Sequence, residues 1–211
     1  MKKKLTRIQA IVHVSSWLPF LILLWNLLSN NLGANPIQTI TTYTGRTALN
    51  LLFFTLLCTP LNSVGITSAL LVRRALGLYS FLYTLLHFLT FAILDYGFQI
   101  SEIAYLIFHQ IFLFLGLIAF ILLIALTITS TAYWIRRMGI WWKRLHQLIY
   151  AIGILVVVHF YLAVKLDTRL PIFYFLLYTI LMVLRIPFLK GKKEIPQAIE
   201  KIDGFLSTDC V

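Results

Sequence analysis

Five histidines, His13, His87, His109, His146 and His159, stand in a chain otherwise poor in groups able to do chemistry. Each lies in or beside a long uncharged apolar run, where an ionisable side chain is costly enough to be a functional candidate. A neutral imidazole is cheaper than a carboxylate, so a lone one is as readily a packing residue as a ligand. Position separates the five. His87 lies 13 residues beyond Arg74 and His159 lies 15 beyond Arg144, in runs that point the same way. Two residues are about 3 Å of helical rise, so both imidazoles fall at one depth on separate helices. That is the arrangement of a bis-axial b-type haem site. With both axial positions filled, such a site carries electrons and does not activate oxygen.

A second level lies nearer the basic ends of the same runs. His146 precedes His159 by 13 residues, and Arg73 precedes His87 by 14. Fourteen residues are close to four helical turns, so Arg73 and His87 share a face about 21 Å apart. Thirteen residues fit a straight helix badly, leaving His146 and His159 more than about 90° apart in azimuth. An irregularity near Gly153, or His146 at a frayed helix start, corrects this. Arginine stays protonated and is a poor iron ligand. Arg73 reads either as the partner of a haem propionate or as a topology residue. For His13 and His109, packing or interfacial placement ranks ahead of ligation.

The elements that position these residues follow from composition. Of 211 residues, 60% are hydrophobic and 12% charged, and the mean hydropathy is +0.90. Soluble domains run nearer 45–50% apolar and about 25% charged, which excludes a soluble enzyme, a disordered chain and a disulfide-stapled secreted domain. Uncharged runs long enough for a transmembrane helix of roughly 20 residues occur six times. They are Ile8–Leu28, a stretch within Thr47–Val72, Ala75–Leu94, Ile103–Ile135 (its helix the Phe108–Ser130 portion), Leu145–Val164 and Leu170–Leu189. The expected fold is all-α: a polytopic six-helix membrane bundle over residues 1–189, with a basic tail at 190–211. Ile195, Ile199 and Ile202 give that tail the spacing of a short interfacial amphipathic helix. The first run has the basic start of a signal peptide, but no small-x-small cleavage site closes it, so it reads as a retained helix.

Eighteen Lys and Arg against seven Asp and Glu give a formal charge of +11, yet the basic residues cluster between apolar runs. This distribution orients a membrane protein and does not bind nucleic acid. Alternate connections place 15 of the 18 basic residues on one side, with Arg46, Lys165 and Arg169 on the other, which puts both termini in the cytoplasm. Trp134, Trp141 and Trp142 fall at a cytoplasmic connection, where amphipathic rings favour the headgroup layer. Cys58 and Cys210 make no plausible disulfide, and neither belongs to a Cys-x-x-Cys-His that would attach haem covalently. No internal repeat is visible.

Several segments together resemble a known family. These are Leu32-Gly33-Ala34-Asn35-Pro36, Tyr43-Thr44-Gly45-Arg46-Thr47-Ala48-Leu49, Arg73-Arg74-x-Leu76-Gly77-Leu78, Leu86-His87, Leu145-His146-Gln147-Leu148-Ile149-Tyr150 and His159-Phe160. With the six runs, they are similar to the MsrQ family of haem-binding membrane subunits, within the ferric-reductase-like transmembrane superfamily. The resemblance covers nearly the whole chain up to Lys190. It implies a bacterial inner-membrane protein that passes electrons from the quinone pool through haem b. The implied acceptor is an MsrP-like periplasmic molybdopterin reductase that repairs methionine sulfoxide in envelope proteins. The resemblance also implies His87, His146 and His159 as ligands and an association with flavin mononucleotide (FMN). Superfamily members with two bis-His haems carry two histidines on each of two helices. Here Arg73 stands at the fourth place, so one haem or two remains open.

Ten glycines never closer than 12 residues apart make no phosphate-binding loop, and about 20 residues after the last run are too few for a nucleotide domain. Electrons are therefore expected from a separate donor, membrane quinol or a cytosolic flavin reductase. Arg46 and the Asn30–Thr44 loop are exposed candidates for quinol or partner docking. A competing reading is a small transporter or channel that uses intramembrane histidines for proton or substrate handling. Such proteins show paired broken helices with polar midplane residues, whereas no Asp or Glu is embedded here. A cofactor-free anchor leaves the matched depths unexplained.

Overall fold

A computed structural model describes residues 6–164 and 167–185; the expected amphipathic tail at 190–211 lies outside them. All regular elements among the described residues are helical. Helix α1 spans Arg7–Leu28, α2 Pro36–Ser63 and α3 Ser68–Leu89, which runs on as a π-helical turn over Thr90–Asp95. There follow α4 (Ile100–His109), α5 (Ile111–Ile128), α6 (Ala132–Met138), α7 (Ile140–His146), α8 (Leu148–Ala163) and α9 (Arg169–Val183).

Four segments are long and apolar enough to cross a membrane: Arg7–Leu28, Ser68–Asp95, Ile111–Ile128 and Ile140–Ala163. Large apolar side chains such as Trp25, Leu28, Phe108 and Ile111 lie exposed on the outside, an apolar surface that suits lipid and not water. The chain is therefore a membrane protein. Helix α2 has 28 residues but is too polar to qualify on composition, because it is the most interior element. It contributes to both large apolar clusters, one with α3 and one with α5, α8 and α9. Its Thr44 and Thr55 hydroxyls donate to Ile40 and Leu51 carbonyls one turn back, so these polar side chains are satisfied without water. Helix α9 has 15 residues.

Several boundaries differ from the apolar runs. The second helix begins at Pro36, not within Thr47–Val72, because Asn35 caps it by accepting the Gln38 N–H and Pro36 occupies its first turn. A turn at 64–67 then falls inside that run, with Gly65 at φ +97°. Consequently Arg46 is a helical residue and the expected Asn30–Thr44 loop is mostly helix. Arg73 and Arg74 likewise belong to α3, since a helix tolerates cations that an apolar-run criterion treats as breaks. The fourth run is divided at Gln110, whose backbone is extended, so α4 and α5 are separate helices.

Helix α1 is fastened to α3 at its proline. Pro19 lacks an N–H and weakens the local helix ladder. The Tyr83 hydroxyl enters the gap, donating to the Ser16 carbonyl at 2.7 Å and accepting the Phe20 N–H at 3.0 Å. One turn away His13 Nδ1 and the Tyr79 hydroxyl lie 3.0 Å apart in a hydrogen bond. At the other end of the bundle Arg185 is buried, donating to the Leu56 carbonyl, to Thr59 and to the Tyr150 hydroxyl. Tyr83→Phe should lower stability in detergent by about 1 kcal/mol, through two backbone groups left unpaired. Thermal unfolding followed by tryptophan fluorescence checks this, and an unchanged midpoint rules out the bridge as a stabilising contact.

Candidate functional site

The interior is organised by two helix pairs, α2 with α3 and α5 with α8, which make the most extensive interhelical contacts. Each pair holds one histidine in the same way. On α3, His87 Nδ1 lies 2.8 Å from the Thr41 carbonyl of α2. On α8, His159 Nδ1 lies 2.6 Å from the Phe112 carbonyl of α5. A carbonyl only accepts, so each Nδ1 carries the proton, and in the neutral ring Nε2 keeps the lone pair. Among the described residues neither Nε2 has a hydrogen-bond partner.

Glycine makes these approaches possible. A Cβ on Gly45 would stand 3.0 Å from His87 Cε1 and Nδ1, and one on Gly116 would stand 2.9 Å from the same atoms of His159. Any larger residue would push the ring out of the groove. Gly45 follows Thr41 by four residues and Gly116 follows Phe112 by four, so each glycine sits one turn beyond the carbonyl that its histidine uses. The sequence shows no repeat, yet the structure uses one local device twice. The two rings thereby come together, with centroids 6.3 Å apart and planes at 86°.

The other predicted positions are arranged differently. His146 ends α7, and the irregularity lies at Gln147 between α7 and α8, whose N–H is shared by the Lys143 and Arg144 carbonyls. Gly153 is regular helix instead, with Tyr178 packed where a Cβ would go. The His146 ring stacks on Trp142 at 4.1 Å, and its Nδ1 donates to the Trp142 carbonyl of its own helix at 3.1 Å. Arg73 is partly buried on α3, and no hydrogen bond joins it to His146. His109 donates to the Tyr105 carbonyl of its own helix at 2.7 Å. Thus His87 and His159 are brought together, whereas His13, His109 and His146 each take a separate place.

Arg185 is one of the 15 cations that the charge pattern places on the cytoplasmic side. It is buried, its Nε has no partner, and nothing in its spacing signals this. Gly45 and Gly116 also carry no sequence signal as ring supports. A groove of about 560 Å³ between α1 and α2 is lined by Ser16, Tyr43, Arg46 and Asn50 with Pro19, Phe54 and Leu76 among its apolar walls. Arg46 is adjacent to Gly45, so the groove and the His87 contact share one level of α2. The Asn50 carbonyl oxygen accepts from the Tyr174 hydroxyl of α9 at 2.7 Å.

A helical membrane bundle with two closely spaced imidazoles in its interior has the form of a membrane electron-transfer component. Residues 44–158 match the family described as ferric reductase like transmembrane component, and the chain belongs to that family. No solved structure matches it.

Proteins of this family often bind haem, and the His87–His159 pair fits one. A metal–imidazole bond of about 2 Å on each side, plus roughly 1 Å from nitrogen to ring centre, separates two axial rings by about 6 Å. The observed 6.3 Å matches that span. Among the described residues there is no cluster of three or more His, Cys, Asp or Glu for a bare metal ion, but a porphyrin supplies four of six donors and needs only two from protein. Thr41 Oγ1 is buried without a partner, an unused donor on the residue that holds His87.

Another helical glycine, Gly153, offers a contrast. Gly153→Ala would drive a methyl into the Tyr178 ring and should cost about 1–3 kcal/mol of stability by overpacking the α8–α9 contact. Chemical denaturation in detergent measures this, and a wild-type midpoint contradicts it.

Proposed function

We propose that this chain is an MsrQ-type haem b electron-transfer subunit. In this reading it takes electrons from membrane quinol and delivers them to an MsrP-like periplasmic molybdopterin reductase. The reading includes six spans over residues 1–189, a basic tail at 190–211, both termini in the cytoplasm and residence in a bacterial inner membrane. What supports it is one observation above others: two imidazoles from separate helices, 6.3 Å apart, each with its proton committed to a backbone carbonyl.

His87 and His159 would hold the iron through their Nε2 atoms. The Nδ1–H bonds fix the rings and raise the donor strength of the coordinating nitrogens, as outer partners of metal-bound histidines do. Haem b held so supplies reversible one-electron carriage, since two strong axial donors leave no position for oxygen. The α1–α2 groove supports quinol docking, because Arg46 and Asn50 offer polar contacts beside walls that suit an isoprenoid tail. At the other level, His146 is the candidate ligand of a second haem. Arg73 there would balance a propionate, and FMN with a cytosolic flavin reductase remains a further donor route.

Purified full-length protein should show a b-type Soret band and a reducible α-band. His87→Ala and His159→Ala should each lower haem per polypeptide by roughly tenfold or more, as loss of a ligand exceeds loss of an outer-shell partner. His13→Gln, whose parent side chain serves Tyr79, should keep wild-type content. Pyridine haemochrome titration reads all three, and full haem retention in both alanine variants overturns the assignment.

A further inference from the structure

The two rings are perpendicular as well as close, and the structure fixes that angle at both ends. Turning either ring about its Nε2 axis would pull Nδ1 away from the Thr41 or Phe112 carbonyl. Each ring also lies where a Cβ on the facing glycine would stand only 3.0 Å (Gly45) or 2.9 Å (Gly116) from it, so a side chain at either place would force the ring to move. The relation of 86° is thus set by two separate locks, on helices α2 and α5, and not by contact between the imidazoles.

Ring orientation matters to an iron held between them. An axial imidazole donates π density mainly into the iron d orbital that its ring plane selects. Parallel rings act on the same orbital and separate the pair of d orbitals that point between the porphyrin nitrogens and the axis. Perpendicular rings act on one each and leave the pair nearly equal in energy. Low-spin ferric iron then has an extremely anisotropic magnetic response, with one strong low-field feature in place of a three-line rhombic spectrum.

We propose that Gly45 and Gly116 are positioning residues that lock His87 and His159 perpendicular, so that the haem between them is of the highly anisotropic low-spin type. This rests on the haem reading above and adds to it a geometry that ligand identity alone does not give. A glycine at either place is required by the imidazole beside it, so a larger side chain there would reach the haem only by displacing the histidine ring.

The experiment is low-temperature electron paramagnetic resonance on oxidised full-length protein, with haem content measured on the same samples. The signal in question is the component lost in His87→Ala, which separates it from any second haem. Wild type is expected to give the single low-field feature. Gly45→Ala and Gly116→Ala are expected to retain haem but to convert that feature towards a rhombic spectrum, with a shifted midpoint potential. Gly153→Ala on the same helix as His159 should lose stability and leave the spectrum unchanged. A rhombic wild-type signal overturns the perpendicular geometry while leaving haem ligation intact. Unaltered spectra in both alanine variants at wild-type haem content overturn the glycine role. A wild-type protein without haem overturns the haem reading, and this inference with it. Where an alanine variant fails to accumulate, the wild-type spectrum still decides the geometry.

Discussion

An imidazole inside lipid is held in place only if its protonated nitrogen has an acceptor, and here that acceptor is the backbone of another helix. His87 reaches the Thr41 carbonyl and His159 the Phe112 carbonyl, carbonyls that already belong to helical ladders. Reaching them requires the ring to lie almost against the neighbouring helix axis, which only glycine one turn on allows. The crossing of α2 with α3 and that of α5 with α8 are therefore set by the same demand. Once both crossings are met, the positions of the lone-pair nitrogens follow.

The same kind of bond holds the periphery. Lipid gives apolar side chains little reason to prefer a neighbouring helix, so packing of small residues and interhelical hydrogen bonds must specify contacts. Side-chain donors here repeatedly take a backbone carbonyl on another helix. Ser80 donates to Ala48 at 2.9 Å, Trp142 to Thr129 at 2.8 Å and Tyr178 to Tyr150 at 2.8 Å. Tyr83 does so where Pro19 has already broken a ladder. Each such donor would be unsatisfied facing lipid, so sliding a helix along its neighbour is penalised even where the apolar contact would tolerate it.

Membrane residence, the helical class and the common depth of His87 and His159 were legible from hydropathy and from rise per residue. These depend on chain-local arithmetic. What stayed hidden depends on partners distant in sequence. Gly45 and Gly116 look like any helical glycine until a ring from another helix is seen against them. Arg185 looks like a cation at a membrane edge, yet it is enclosed by α2 and Tyr150. The boundaries failed for a different reason. An apolar-run reading takes charge as an end signal, so it missed that α2 is an interior helix carrying threonines and Arg46. It also split α3 from its own Arg73. The Asn35–Pro36 cap was present in the sequence and marks the start that hydropathy overlooked.

The two levels of ionisable side chains are not equivalent, and local backbone explains why. His159 lies in an uninterrupted stretch of α8 and is gripped from α5, whereas His146 lies before the break at Gln147 and is held by Trp142 of its own short helix. Among the described residues no glycine of a neighbouring helix receives its ring as Gly45 and Gly116 receive the other two. Following His87, the π-helical turn at Thr90–Asp95 widens the end of α3, a distortion frequent at functional sites. It occurs beyond the histidine, so the register from Arg73 to His87 is kept. A cofactor between His87 and His159 would meet rings already held by backbone carbonyls of neighbouring helices, so little of its binding free energy would go into ordering them.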